Sequence, residues 1–173
     1  MIQPAHLLVD VIRPALAVVG LGSVAVEQLL LGTAAAESRC GEFLHQDGGG
    51  PALGVWQVEP ATHEDVWRNV LAFKPALRAR VESLVPPFYS GMASQSPAPP
   101  PRVLCGNLLY ACVIARLVYW RSPAALPQAG DWQGLAAMWK RVYNTTFGAG
   151  TTAHFLEAAD HCGVLALWPG VER

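Results

Sequence analysis

The sequence predicts a mainly α-helical single domain carrying one small glycine-rich loop or β-hairpin. Three observations predict it. Apolar residues recur at helical spacing, as in Val66, Val70 and Phe73 or Leu135, Met138, Trp139 and Val142. No alternating strand pattern stands out beyond residues 41–58, and no internal repeat is present. Hydrophobic residues make up 52% of the 173 positions and charged residues 14%, which is too apolar for disorder and enough for one sizeable core spanning 1–173.

Asp10 to Val19 and Ser23 to Ser38 read as helices separated by a Gly20-Leu-Gly22 break. Ser23 is suited to cap the second of them, and Gly41 to stop it. Residues 41–55 hold five glycines and two apolar patches, so they form a loop or small hairpin. Thr62 starts a further helix, with Asp65 at capping-box spacing. Pro75 to Val85 gives a short helix, and the proline-rich stretch at 94–101 an extended surface loop within the domain. Asn107 to Trp120 is apolar nearly all round, interrupted only by Arg116, as expected of a central buried helix. Asp131 caps a helix running through Tyr143. The last helix starts near Thr151 or Thr152 and fades around Cys162.

Charge and cysteine usage narrow the partners. A formal net charge of −1 provides no global basic field, so no nucleic-acid partner is expected. Arg78, Arg80, Lys140 and Arg141 read as solvated helix faces. The longest uncharged run near the start, Pro14 to Val26, ends at Glu27, short of the roughly 20 residues needed to span a bilayer. The first 12 residues lack Lys and Arg, so the basic region of a secretory signal is missing. Stable membrane insertion is therefore not expected. Cys40, Cys105, Cys112 and Cys162 form no CxxC pair and no disulfide-dense framework, consistent with synthesis in a reducing cytoplasm.

Glu37 carries the clearest chemistry. It shares a helical face with Val26, Leu30 and Thr33 and falls in the last turn, near the negative end of the helix dipole. Burial and the dipole both disfavour its carboxylate, so its pKa should rise and leave a proton available for donation. Gly48-Gly-Gly50 and Gly54 permit sharp turns and close approach of a ligand. Gln57 offers an acceptor and two donors, suited to an N-acetyl group or to positioning an acid. Trp56 reads as a core plug, with a sugar-stacking face as the alternative. Tyr143 can bury its ring and extend its hydroxyl into a cleft, while Asn144 can bind sugar or cap its own helix. His154, His161 and Cys162 match no familiar zinc spacing and read as surface or capping residues, so no metal or other cofactor is expected.

Taken in order, Ala34-Ala-Ala-Glu37-Ser38, Gly54-Val-Trp-Gln57-Val-Glu59-Pro60 and Trp139-Lys-Arg-Val-Tyr143-Asn144 before Gly148-Ala-Gly150 resemble the soluble lytic transglycosylases of the lysozyme-like superfamily. The resemblance covers about residues 23–160, and Gly50-Pro-Ala-Leu-Gly54 and Glu59-Pro-Ala-Thr-His63 look like phage-encoded members. It implies a lysozyme-like fold with the glycine-rich loop beside an active-site cleft. It also implies cleavage of peptidoglycan glycan strands, with Glu37 as acid and base and with Ser38, Gln57, Tyr143 and Asn144 holding substrate. Two departures stand out. Glu59 occupies a usual Met position, and Trp139 stands where the family has Ala.

A lytic transglycosylase works with one carboxyl group, whereas a hydrolysing lysozyme usually needs a second. Asp47, ten residues after Glu37 as in phage lysozymes, and Glu59 are the candidates. The transglycosylase is favoured, the hydrolase is the alternative, and a non-catalytic wall-binding or structural part of a phage particle is a third reading. The implied setting is synthesis in a bacterial host cytoplasm and action on the periplasmic wall, in an endolysin or virion-associated role with phage components as further partners.

Overall fold

The computed structural model describes residues 1–90, 96–144 and 149–169, and helices dominate them. In chain order these are α1 (Pro4–His6), a π-helical stretch (Leu7–Ile12), α2 (Arg13–Val19), α3 (Val24–Ser38), α4 (Pro60–Asn69), α5 (Pro75–Glu82), α6 (Pro87–Ser90), α7 (Val103–Gly106), α8 (Leu108–Trp120), α9 (Trp132–Met138), a second π-helical stretch (Trp139–Asn144) and α10 (Thr152–His161). None of the described helices is long and apolar enough to cross a membrane.

The first helical run begins at Pro4, earlier than the Asp10 start expected from sequence. Pro14 explains its π-helical part. Proline has no N–H to offer the Asp10 carbonyl, and the Arg13 N–H reaches back five residues to Leu8 O instead. Gly20, at φ 69°, ends the run with its N–H on Leu16 O.

Two helices organise the core. Helix α8 is the expected central one, with Tyr110 to Ala115 and Leu117 to Tyr119 all buried. Asn107 starts it by accepting the Tyr110 N–H at 3.0 Å. Its one charge, Arg116, donates to Leu21 O at 3.0 Å, beyond the end of α2. Helix α3 starts on Ser23, whose hydroxyl accepts the Val26 N–H, and is buried on nearly every side. It packs along α10, and Gly32 sets how closely they meet. A Cβ there would stand 2.3 Å from the Phe155 ring, so only glycine lets that fully buried ring rest on the α3 backbone.

Helix α3 ends differently from the glycine stop expected at Gly41. Its last residue is Ser38, and Arg39 and Cys40 are already left-handed, at φ 49° and 54°. Their N–H groups close on Ala35 O and Ala34 O. Two non-glycine residues in this region are strained, and the hydrogen bonds hold them there. The chain then runs through an irregular segment whose only bridges among the described residues are antiparallel, His45 with Leu53 and Leu53 with Val58.

One further helix start moved. Helix α4 begins at Pro60 rather than Thr62, because proline suits the first helical position. The Thr62–Asp65 capping box does not form; the Asp65 carboxylate instead takes the Asn69 side chain and Arg121. The helix expected from Asp131 through Tyr143 changes at Trp139 from α to π, with no proline or glycine in 139–144 to impose the wider turn. Of the proline-rich loop, residues 94 and 95 lie outside the described residues. Ala98 is buried in the core rather than exposed, so this stretch is partly packed down.

Candidate active site

The end of α3, the irregular segment after it, the start of α4, the second π-helical stretch and the first turn of α10 enclose a cleft of about 530 Å³. Glu37, Gln57, Tyr143 and Asn144 all line it, as do Asp47 and Glu59. Residues more than 100 positions apart therefore meet around one cavity.

The Gly54–Gln57 turn is the joint between these elements. Gly54 sits at φ 76°, and a Cβ on it would lie 2.3 Å from Leu104 O, so both backbone conformation and close packing on α7 demand glycine. Its N–H donates to Leu44 O at 2.8 Å. The next two carbonyls are each held by a distant hydroxyl. Ser38 Oγ donates to Val55 O at 2.6 Å and accepts the Gly41 N–H at 2.8 Å. Tyr143 Oη donates to Trp56 O at 2.7 Å. Trp56 is fully buried as a core plug, its indole N–H on Leu30 O at 2.9 Å.

This geometry reassigns Ser38. It was expected to touch substrate, yet it is 0% exposed and its hydroxyl is committed to Val55 and Gly41. Ser38 positions the turn and does not reach the cleft. Tyr143 both lines the cleft and anchors the turn. Its ring stacks on Tyr119 at 5.1 Å, and the Tyr119 hydroxyl pairs with Thr33 Oγ1 at 2.7 Å.

Gln57 is itself left-handed, at φ 45°, and only 8% exposed. Its Nε2 donates to Gly54 O at 2.7 Å, which fixes the amide's orientation. Its Oε1 is left buried without a hydrogen-bond partner in the wall of the cleft. An unsatisfied buried acceptor is costly, and a ligand N–H would relieve it. Asn144 Oδ1 takes a hydrogen bond from Lys140 Nζ at 2.8 Å. Gly148 of the third motif lies outside the described residues. Gly150 passes over Trp139, where a Cβ would stand 2.4 Å from the indole.

Glu37 holds the cleft's largely buried carboxyl. Burial pushes its pKa from 4.5 up to about 7, and a hydrogen bond from Trp139 partly opposes the rise. The Trp139 indole N–H donates to Glu37 Oε1 at 2.9 Å, and Trp139 is 1% exposed. Near neutral pH the carboxyl is thus poised to give up or take a proton. Asp47 and Glu59 are both exposed. Asp47 Oδ1 accepts the Gly48 N–H at 2.9 Å, and Glu59 caps the start of α4 with its carbonyl on the His63 N–H.

Two cleft residues escaped the sequence reading. Trp139 reads from sequence as part of an apolar helical stripe and as a departure from a family pattern, not as a cleft residue. Its position four residues before Tyr143, on the same helical face, was the available signal. His154 was read as a surface or capping residue. It is exposed, but it lines the cleft and its Nε2 donates to Ala36 O at 3.0 Å, which places the ring proton on that nitrogen. Among the described residues no group of three or more His, Cys, Asp or Glu side chains could hold a metal ion.

No protein-family model matches this chain, and no curated protein or solved structure matches it.

Proposed function

We propose that the protein cleaves the glycan strands of peptidoglycan with Glu37 as general acid and then base, within a lysozyme-like fold. The observation that carries the reading is Glu37 itself. It is a largely buried carboxyl at a helix end, lifted to about 7 and opening on a cleft that Gln57 and Tyr143 also line. A carboxyl still protonated near neutrality can protonate a glycosidic oxygen as the C1–O bond breaks.

The lytic transglycosylase is the favoured mechanism. After bond cleavage the Glu37 carboxylate takes the proton of the muramyl 6-hydroxyl, whose oxygen attacks C1 and closes an anhydro ring. One carboxyl then serves both proton transfers, in keeping with the exposed settings of Asp47 and Glu59. Gln57 Oε1, buried and unpartnered, suits the N–H of an N-acetyl group. Asn144 supports the same wall through Lys140.

A hydrolytic lysozyme is the second reading. Asp47 and Glu59 line the same cleft and could guide a water molecule. The setting that goes with either mechanism is a phage-encoded enzyme made in the host cytoplasm and acting on the periplasmic wall, free or on the virion. Mass spectrometry of the products from purified peptidoglycan tests the proposal. Anhydromuramyl ends are expected; reducing ends alone would replace the transglycosylase with the hydrolase, and an undigested substrate would overturn both.

A further inference from the structure

Val118 of α8 lines the cleft and also lines a neighbouring cavity of about 690 Å³. Two more elements run from one into the other. On α4, Thr62 lines the cleft, whereas Asp65 and Asn69, about one and two turns further on, line the cavity. In the second π-helical stretch, Tyr143 and Asn144 line the cleft, whereas Arg141 and Val142 line the cavity.

The charges in this cavity do not cancel. Asp65 is its one carboxylate, against Arg121 and Arg141. The Asp65 group is already occupied, with Oδ1 accepting the Asn69 side-chain amide and Oδ2 paired with Arg121. Arg141 is exposed and makes no ion pair among the described residues. The cavity thus offers one uncompensated cation beside an apolar wall that includes Val70, Val118 and Val142.

We propose that this cavity is a carboxylate-binding subsite for the peptide stem of the glycan strand. Arg141 pairs with the carboxylate of the stem's terminal D-alanine, and Val70 and Val142 pack on its methyl group. The assignment rests on the peptidoglycan reading of the cleft. A neutral sugar leaves the Arg141 charge unanswered, and a bare inorganic anion leaves the valines uncovered. Asp65 holds Arg121 and repels a carboxylate placed towards α4, so the stem is directed to Arg141. Four extended residues span up to about 14 Å, which lets a stem attached to a sugar in the cleft pass Val118. Arg141 is then a specificity residue. Strands that carry stems are held at two places, and strands stripped of them at one.

The test follows the backbone amides of the isotope-labelled full chain by NMR during addition of the free tetrapeptide stem that ends in D-alanine. Saturable shifts are expected at Val118, Arg141 and Val142. Affinity should fall by roughly fivefold when the terminal carboxylate is replaced by an amide, and equally in Arg141→Ala. Arg141→Lys, which keeps the charge, should retain part of it. No shifts at these residues, equal affinity for acid and amide, or the same shifts from inorganic phosphate would each overturn the proposal. The acid and amide arms use the wild-type chain, so the result does not depend on a variant folding. The titration needs no glycan cleavage, whereas cleavage of strands stripped of their stems tests the reading of the cleft alone. If that cleavage is seen, the ratio of kcat/KM on stem-bearing to stripped strands should fall by a similar factor in Arg141→Ala, and an unchanged ratio would count the subsite out.

Discussion

The indole N–H of Trp139 reaches Glu37 Oε1 at 2.9 Å, and this contact opposes the burial that lifts the same carboxyl to about 7. The two residues come from helical segments about 100 positions apart. Their pairing sets both the direction in which Glu37 points and how readily it ionises.

Trp139→Phe keeps an aromatic ring in the cleft wall but removes the donor and the larger part of the indole at a buried site. The carboxylate then loses the hydrogen bond that favours it, so the Glu37 pKa should rise further. For an enzyme that needs protonated Glu37, the alkaline limb of the pH–activity profile should move to higher pH. NMR titration of the Glu37 side chain checks this directly. A fall in its pKa would show that Trp139 acts through packing alone.

Glu37→Gln should reduce glycan cleavage at least about a hundredfold, because the amide cannot donate the proton. It should also change stability with a definite sign. Between 4.5 and about 7 the folded protein holds a proton that the unfolded chain releases, so this group's contribution is full below 4.5 and is lost as pH rises through about 7. The full loss is about 3 kcal/mol. The variant should therefore gain on wild type much more at about pH 8 than at about pH 5. Urea unfolding at both values measures the difference. An equal effect at both would mean that Glu37 is ionised throughout.

Gly54→Ala should destabilise the fold by roughly 2–4 kcal/mol, through the left-handed backbone and the clash with Leu104 O. Gly48→Ala separates the two causes. Gly48 has the same φ of 76° but open space around it, so it should cost only about 1 kcal/mol. Chemical denaturation of both variants gives the comparison. Equal losses would deny that the Gly54–Gln57 turn is docked as closely as described.

Asp47→Asn and Glu59→Gln divide the two mechanisms. A transglycosylase should tolerate both with less than about a tenfold loss, because Glu37 handles each proton. A hydrolase should lose on the order of a hundredfold from one of them. Initial rates on purified peptidoglycan, read with the chemistry of the product ends, decide between them.

The sequence by itself determined the helical character, the central apolar helix at 107–120, and Glu37, Gln57 and Tyr143 as the residues to watch. Those features are local. Apolar periodicity, caps such as Ser23, Asn107, Asp131 and Thr151, and a carboxyl at the end of an apolar helical face all show themselves within a few turns of chain. The tertiary structure alone decided which partner each polar side chain would take. Ser38 turned inward to Val55 instead of out to the cleft, and Tyr143 reached Trp56 O. Trp139 and His154 became cleft walls. Hydrogen bonds and packing depend on groups within a few ångströms in space, while sequence patterns report only neighbours along the chain. The second π-helical stretch is of the same kind. Nothing within 139–144 requires the wider turn, and this stretch carries the Trp139 contact to Glu37 on α3 and the Tyr143 contact to Trp56 O.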